Sequence, residues 1–136
     1  MNRPIIHDAM FLAQPAEPAA KADLPVIVDL MDTLKANAEE CVGMAANMIG
    51  VRKAIIVVST TFGQLVMCNP KIVKQNGAFE TEEGCLSLSG RRKTKRYTEI
   101  EVEYQDAAFR KRKGRYVGKT AQIIQHEIDH CRGILI

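Results

Sequence analysis

The sequence predicts an α+β fold, with a helix near each end and a run of short antiparallel strands between them. Three observations predict it. Apolar residues recur at helical spacing after Asp23 and again near the C-terminus. The stretch between holds several short β-type segments, one with strict alternation. The helices stand at the two ends rather than alternating with the strands, which excludes a repeating βαβ architecture. The 136 residues fit one domain, 1–136.

Residues 1–22 carry Pro4, Pro15 and Pro18 and read as an extended leader wrapped on the domain. Asp23 is placed to cap a helix over 24–37, whose stripe is Leu24, Ile27, Val28, Met31 and Leu34. The segment from Cys41 to Gly50 is rich in small residues, so backbone or ligand can approach closely there. Residues 54–59 form a buried strand that pairs with 65–68 through a loop containing Gly63. Asn69-Pro70 signals a turn, and 71–74 a short strand ending near Asn76-Gly77. Over 98–105, Ile100, Val102 and Tyr104 alternate with Glu99, Glu101 and Glu103, as in a half-buried antiparallel strand. Residues 109–117 supply its partner, interrupted at Gly114. A second helix spans 119–132, with Thr120 as its cap and Gly133 as its stop.

Composition narrows the function. Aromatic residues are 5% of the chain and there is no Trp, so the core must be aliphatic. A net charge of +3 does not by itself argue for nucleic-acid binding. The charge is clustered, however, in Arg91, Arg92, Lys93, Lys95 and Arg96 and again from Arg110 to Lys113 with Arg115. Solvated strand edges account for both runs, and a weak contact with ribosomal RNA is the sharper alternative. No stretch is apolar enough to span a membrane, and Met1-Asn2-Arg3-Pro4 opens no signal peptide, so a cytoplasmic location is expected. Cys41, Cys68, Cys85 and Cys131 form no C-x-x-C pair and read as thiols, core fillers or metal ligands.

The strongest chemical signal is His126-Glu127-Ile128-Asp129-His130, an H-E-x-x-H inside the second helix. Histidines four apart share a helix face and can reach one metal ion. Glu127 then lies where it can accept a proton from a metal-bound water. A catalytic ion of this kind takes three protein ligands and keeps one position open. Cys85, after Gly84, is the best third ligand, while Cys41 and Cys68 stay possible. Cys131 points roughly 100° away from His130 around the helix and is a poor one.

With Glu83-Gly84-Cys85-Leu86-Ser87 and H-E-x-D-H both present, the chain resembles the peptide deformylases. That family has a third motif, G-φ-G-φ-A-A-x-Q with φ apolar, found here in altered form as Cys41-Val42-Gly43-Met44-Ala45-Ala46-Asn47-Met48. The resemblance covers residues 24–136. It implies a deformylase fold, with short strands packed around the C-terminal H-E-x-x-H helix, and removal of the formyl group from N-formylmethionine on new peptides. It implies one divalent ion on Cys85, His126 and His130: Fe(II) in the cell, Zn(II) or Ni(II) as isolated. It further implies Glu127 as general base, the Leu86 N–H as an oxyanion donor, and a peptide lying as an added strand beside Val42, Gly43 and Gly84.

Two residues depart from the family pattern. Met48 replaces the glutamine that would donate to the oxyanion, and a thioether cannot donate. Cys41 replaces the first glycine. Reduced activity is one expectation from Met48. A hydrolase of another small N-acyl group, or a non-enzymatic relative with a structural metal, are the alternatives. The sequence ends shortly past Gly133, so no C-terminal extension is expected to dock on a ribosome.

Overall fold

The computed structural model describes residues 1–136. Its middle layer is a five-stranded antiparallel sheet in the order β1-β2-β3-β4-β5. The strands are β1 (Gly43–Ala45), β2 (Ile55–Thr60), β3 (Gly63–Cys85), β4 (Leu88–Gln105) and β5 (Lys111–Val117). The helices are α1 (Ala9–Leu12), α2 (Leu24–Ala36) and α3 (Gly118–Cys131), with 3-10 turns at Lys21–Asp23 and Ala46–Ile49.

The uninterrupted apolar run of β2 follows from its position. Ile55 and Val57 join Ile27, Leu30 and Leu34 of α2 in one core cluster. Ile56 and Val58, on the opposite face, join Ala121, Ile124 and Ile128 of α3. A strand covered on both faces has no polar side to alternate. Burying each such Ile or Leu contributes about 1.5–3 kcal/mol. The α2 stripe differs from the expected one: Leu24 and Val28 are 49% and 47% exposed, and Leu30 is fully buried. Spacing from Ile27 through Leu30 to Leu34 holds one narrow line against the flat sheet.

The caps differ too. Asp23 makes no side-chain cap to α2, because its carboxylate turns back to accept from Ala20 N at 2.8 Å. Thr120 does not cap α3, which begins earlier at Gly118, with Val117 at the cap position. The stop at Gly133 holds: its φ is +74°, its N–H donates to His130 O at 3.1 Å, and Ile134 N donates to Asp129 O at 3.0 Å. That pair of bonds is the Schellman closure. The leader carries a helix that its prolines hid: Asp8 Oδ1 accepts from Met10 N at 2.9 Å, and Leu12 is buried.

The largest difference lies between β2 and β5. Asn69-Pro70 is a bulge inside β3, where the register shifts between Cys68 and Lys71. Asn69 adopts φ 52°, and its side chain bonds Ala19 N at 2.8 Å and Gln105 Oε1 at 2.7 Å, so the strand continues. β3 also runs past Gly77, and β4 begins at Leu88 rather than at 98. β5 is continuous through Gly114, where a side chain would collide with the Tyr116 hydroxyl. The long hairpin therefore carries Cys85 to its closing end, where Cys85 pairs with Leu88 across the Leu86-Ser87 loop.

Candidate functional site

The i, i+4 spacing on α3 does what the sequence requires of it. His126, Glu127 and His130 are all buried, His130 completely. The end of β3 brings Cys85 to them. Cys85 Sγ lies 3.2 Å from His130 Nε2, and the two Nε2 atoms lie 3.3 Å apart. The three donor atoms fall within 4.8 Å of one another. Cys41, Cys68 and Cys131 are not part of this cluster: Cys41 donates to Gly43 O at 2.8 Å, and Cys68 is fully buried in the core.

The donor set fits a divalent cation. His126 Nδ1 faces Glu83 Oε1 at 2.8 Å, which leaves Nε2 as the nitrogen turned toward Cys85 and His130. Two imidazoles and a thiolate with an open side suit Zn(II) and Fe(II) alike. Burial, and then the neighbouring His126 and Arg96, push His130 down to about 3, so it is neutral, as a ligand must be. Burial also opposes charge on His126, but Cys85 and Glu83 outweigh it and raise that imidazole to about 10 in the bare polypeptide.

Glu83 is itself held in place. Arg96 Nη2 donates to its Oε1 at 2.7 Å and Gln122 Nε2 to its Oε2 at 2.8 Å, while Arg96 Nη1 reaches Asp129 Oδ2 at 2.6 Å. Burial would raise the Glu83 pKa, but bonds from His126, Arg96 and Gln122 prevail and lower it to about 2. Sequence reading missed this network. Arg96 falls in a run expected to be solvated, yet it is 3% exposed. No local sequence signal marks it, since its place opposite Phe79 follows only from the pairing of β3 with β4.

Glu127 sits beside the cluster with its Oε1 buried and unpartnered. Burial raises its carboxyl to about 7, with His126 lowering it and Glu83 raising it by smaller amounts. β1 crosses directly over it: a Cβ on Gly43 would stand 2.8 Å from Ile123 Cγ2 and 2.9 Å from Glu127 Oε2. The small residue expected there is thus required by α3 as well as by any ligand.

These groups open on a cleft of about 380 Å³. It is lined by Cys41, Val42, Gly43, Met48, Gly84, Cys85, Leu86, His126 and Glu127, with Arg91, Lys119 and Gln122 toward its rim. Cys85, His126, Glu127 and the expected substrate-side residues are therefore brought to one place, with His130 just beneath, while Cys68 stands apart in the core. Asn47, the neighbour of Met48, does not turn into the cleft; its Nδ2 donates to His130 O at 3.0 Å.

Apart from Arg91 at the rim and Arg96 bonded to Glu83, the two basic runs do not line or support the cleft, and several of their residues face carboxylates. Lys93 and Lys95 stand opposite Glu82 and Glu80. Arg110 and Arg112 pair with Asp106, Lys113 with Glu101, and Arg115 with Glu99. No helix is long and apolar enough to cross a membrane.

Comparison with known proteins agrees with this geometry. The family model Polypeptide deformylase matches residues 4–136. A peptide deformylase of Clostridium beijerinckii is 57% identical over 100% of both chains. One from Halothermothrix orenii is 37% identical over 90% of this chain and 80% of its own. Among solved structures, a peptide deformylase from Legionella pneumophila superposes with a TM-score of 0.88 at 31% identity, covering 99% of this chain and 83% of that one. The Met-Ala-Ser-bound class I type b peptide deformylase from Acinetobacter baumannii does so with a TM-score of 0.88 at 26% identity, over 99% and 97%. Matched over nearly its whole length in sequence and fold, the chain belongs to the peptide deformylase family of enzymes.

Proposed function

We propose that residues 1–136, acting as one domain, remove the N-formyl group from the N-terminal methionine of newly synthesised peptides. The observation that carries this is the placement of Glu127, buried with a free oxygen beside the Cys85–His126–His130 cluster and open to the cleft. A purely structural metal site has four protein ligands and no use for a base. The Acinetobacter baumannii relative was solved with Met-Ala-Ser, the peptide that deformylation of formyl-Met-Ala-Ser leaves.

Cys85, His126 and His130 would hold the cation, Fe(II) in the cell and Zn(II) or Ni(II) as isolated. Such an ion polarises a carbonyl and makes a coordinated water acidic enough to ionise near neutral pH. Glu127 accepts the proton of the attacking water as its oxygen bonds to the formyl carbon. The Leu86 N–H donates to the formyl oxygen as negative charge develops on it. Glu127 then returns the proton to the methionine nitrogen as the C–N bond breaks, releasing the amine and formic acid, whose proton is lost to leave formate. The backbones of Val42 and Gly84 pair with the extended peptide, and Gly43 leaves room for it.

Met48 supports a second reading, hydrolysis of a different small N-acyl group, because the wall it forms offers no donor to an oxyanion. The substrate is made on ribosomes, which puts the reaction in the cytoplasm. A weak ribosome contact through the basic runs has little support, since Arg96, Arg110, Arg112, Lys113 and Arg115 are engaged by carboxylates of the same chain.

Anaerobic purification with Fe(II), followed by turnover of formyl-Met-Ala-Ser beside acetyl-Met-Ala-Ser, tests this. Formyl turnover is expected to dominate and to vanish in Cys85→Ala together with bound metal. Faster acetyl turnover would replace the deformylase reading with the second one.

A further inference from the structure

Two adjacent residues of the N-terminal leader bond to the two segments that wall the cleft. The Ile6 N–H donates to the Met48 carbonyl at 2.8 Å. His7 Nδ1 lies 2.9 Å from the Ser87 carbonyl oxygen. That oxygen has no proton to give, so Nδ1 is the donor. Met48 stands on the 3-10 turn after β1, and Ser87 in the two-residue loop between Cys85 and Leu88. The leader thus bridges the first motif and the loop that follows the metal-ligand cysteine.

We propose that Ile6 and His7 form a clasp across the back of the site, and that His7 is a positioning residue for the Leu86 amide. The inference rests on the reading of Leu86 as oxyanion donor. A donor stabilises a developing charge only if it is already aimed when the charge forms. Misplacement by about 1 Å costs on the order of 100-fold in rate. The Leu86-Ser87 loop is closed by the Cys85–Leu88 pair and Leu86 packs against the core, but the Ser87 hydroxyl is buried with no partner, so the His7 bond is the side-chain hydrogen bond that holds the Ser87 peptide group. The leader itself does not depend on His7. Arg3 pairs with Asp29 at 2.9 Å, Leu12 is buried, and Ala16 N donates to Cys131 O at 2.8 Å. Loss of the His7 bond would therefore loosen the Ser87 carbonyl and the peptide plane next to the Leu86 amide, and leave the leader docked.

Two variants separate positioning from packing. His7→Phe keeps a ring and loses the donor. His7→Asn loses the ring and places an amide N–H where Nδ1 stood. In His7→Phe, kcat on formyl-Met-Ala-Ser is expected to fall about tenfold with KM within about twofold, because the Leu86 bond forms in the transition state. Amide exchange of the peptide containing Leu86 and Ser87 is expected to quicken in the same variant. His7→Asn should recover both. Unchanged exchange and kcat in His7→Phe, equal losses in the two variants, or a loss confined to KM would each overturn the clasp. Should the parent itself fail to turn over formyl-peptides, the functional reading falls, and the exchange measurement alone still decides the clasp.

Discussion

Glu83 decides which nitrogen of His126 faces the cleft. Its Oε1 accepts a hydrogen bond from Nδ1 at 2.8 Å, and Nε2 is left for a metal. Glu83→Gln keeps the shape but removes the charge that holds both His126 and Arg96. Metal affinity is expected to fall about 10- to 100-fold, measured by chelator competition. Glu83→Ala additionally leaves the buried Arg96 guanidinium with Asp129 as its remaining carboxylate partner, and a cost of about 1–3 kcal/mol is expected in denaturant unfolding. Parent affinity in Glu83→Gln would show that the imidazole is oriented by something else.

Glu127→Gln retains volume and all three ligand side chains. Metal stoichiometry is expected to stay at one per chain, while kcat drops about 100- to 10,000-fold, the usual contribution of a general base. Turnover at the parent rate would remove Glu127 from the chemistry.

Met48→Gln adds a donor to the cleft wall. Since Asn47 is engaged with His130 O, no neighbouring amide already fills that role. The variant is expected to raise kcat on formyl-Met-Ala-Ser, approaching about 100-fold if the amide reaches the oxyanion. An unchanged or lower kcat would sink the view of this chain as a deformylase short of one donor.

Gly133→Ala tests the end of α3. The added Cβ would sit 2.5 Å from Ala13 O, at a φ of +74°. A loss of about 1–2 kcal/mol from the left-handed backbone alone is expected, with more from the contact with the leader. Unfolding midpoints in urea would measure it, and turnover per folded molecule should stay close to the parent. An unchanged midpoint would mean that the leader yields at no cost.

Much of the site was legible because its signals are local. His126, Glu127 and His130 declare themselves through helical spacing alone. Cys85 declared itself only in part: Gly84 before it made it the best third ligand, Cys41 and Cys68 stayed possible, and the family motif singled it out. The sequence hid the hairpin from Ala78 to Tyr97 for a physical reason. Glu80, Glu82, Lys93 and Lys95 are exposed, so no apolar alternation marks those strands. Their partners lie across the hairpin, beyond the reach of any short window. Arg96 illustrates the same limit: among five basic residues, burial of one is invisible until Glu83 and Asp129 are seen to meet it.

Cys85 and His130 are 45 residues apart in the chain, and their donor atoms are 3.2 Å apart in the fold. A cation shared between them would be a reversible cross-link, closing a long loop of the unfolded chain. The entropy removed by such a closure in a covalent case is worth on the order of 4 kcal/mol. Metal loading would then govern not only turnover but also how firmly the hairpin end is anchored to α3. Chelation should loosen the strand end that carries Leu86 before it loosens the doubly covered β2.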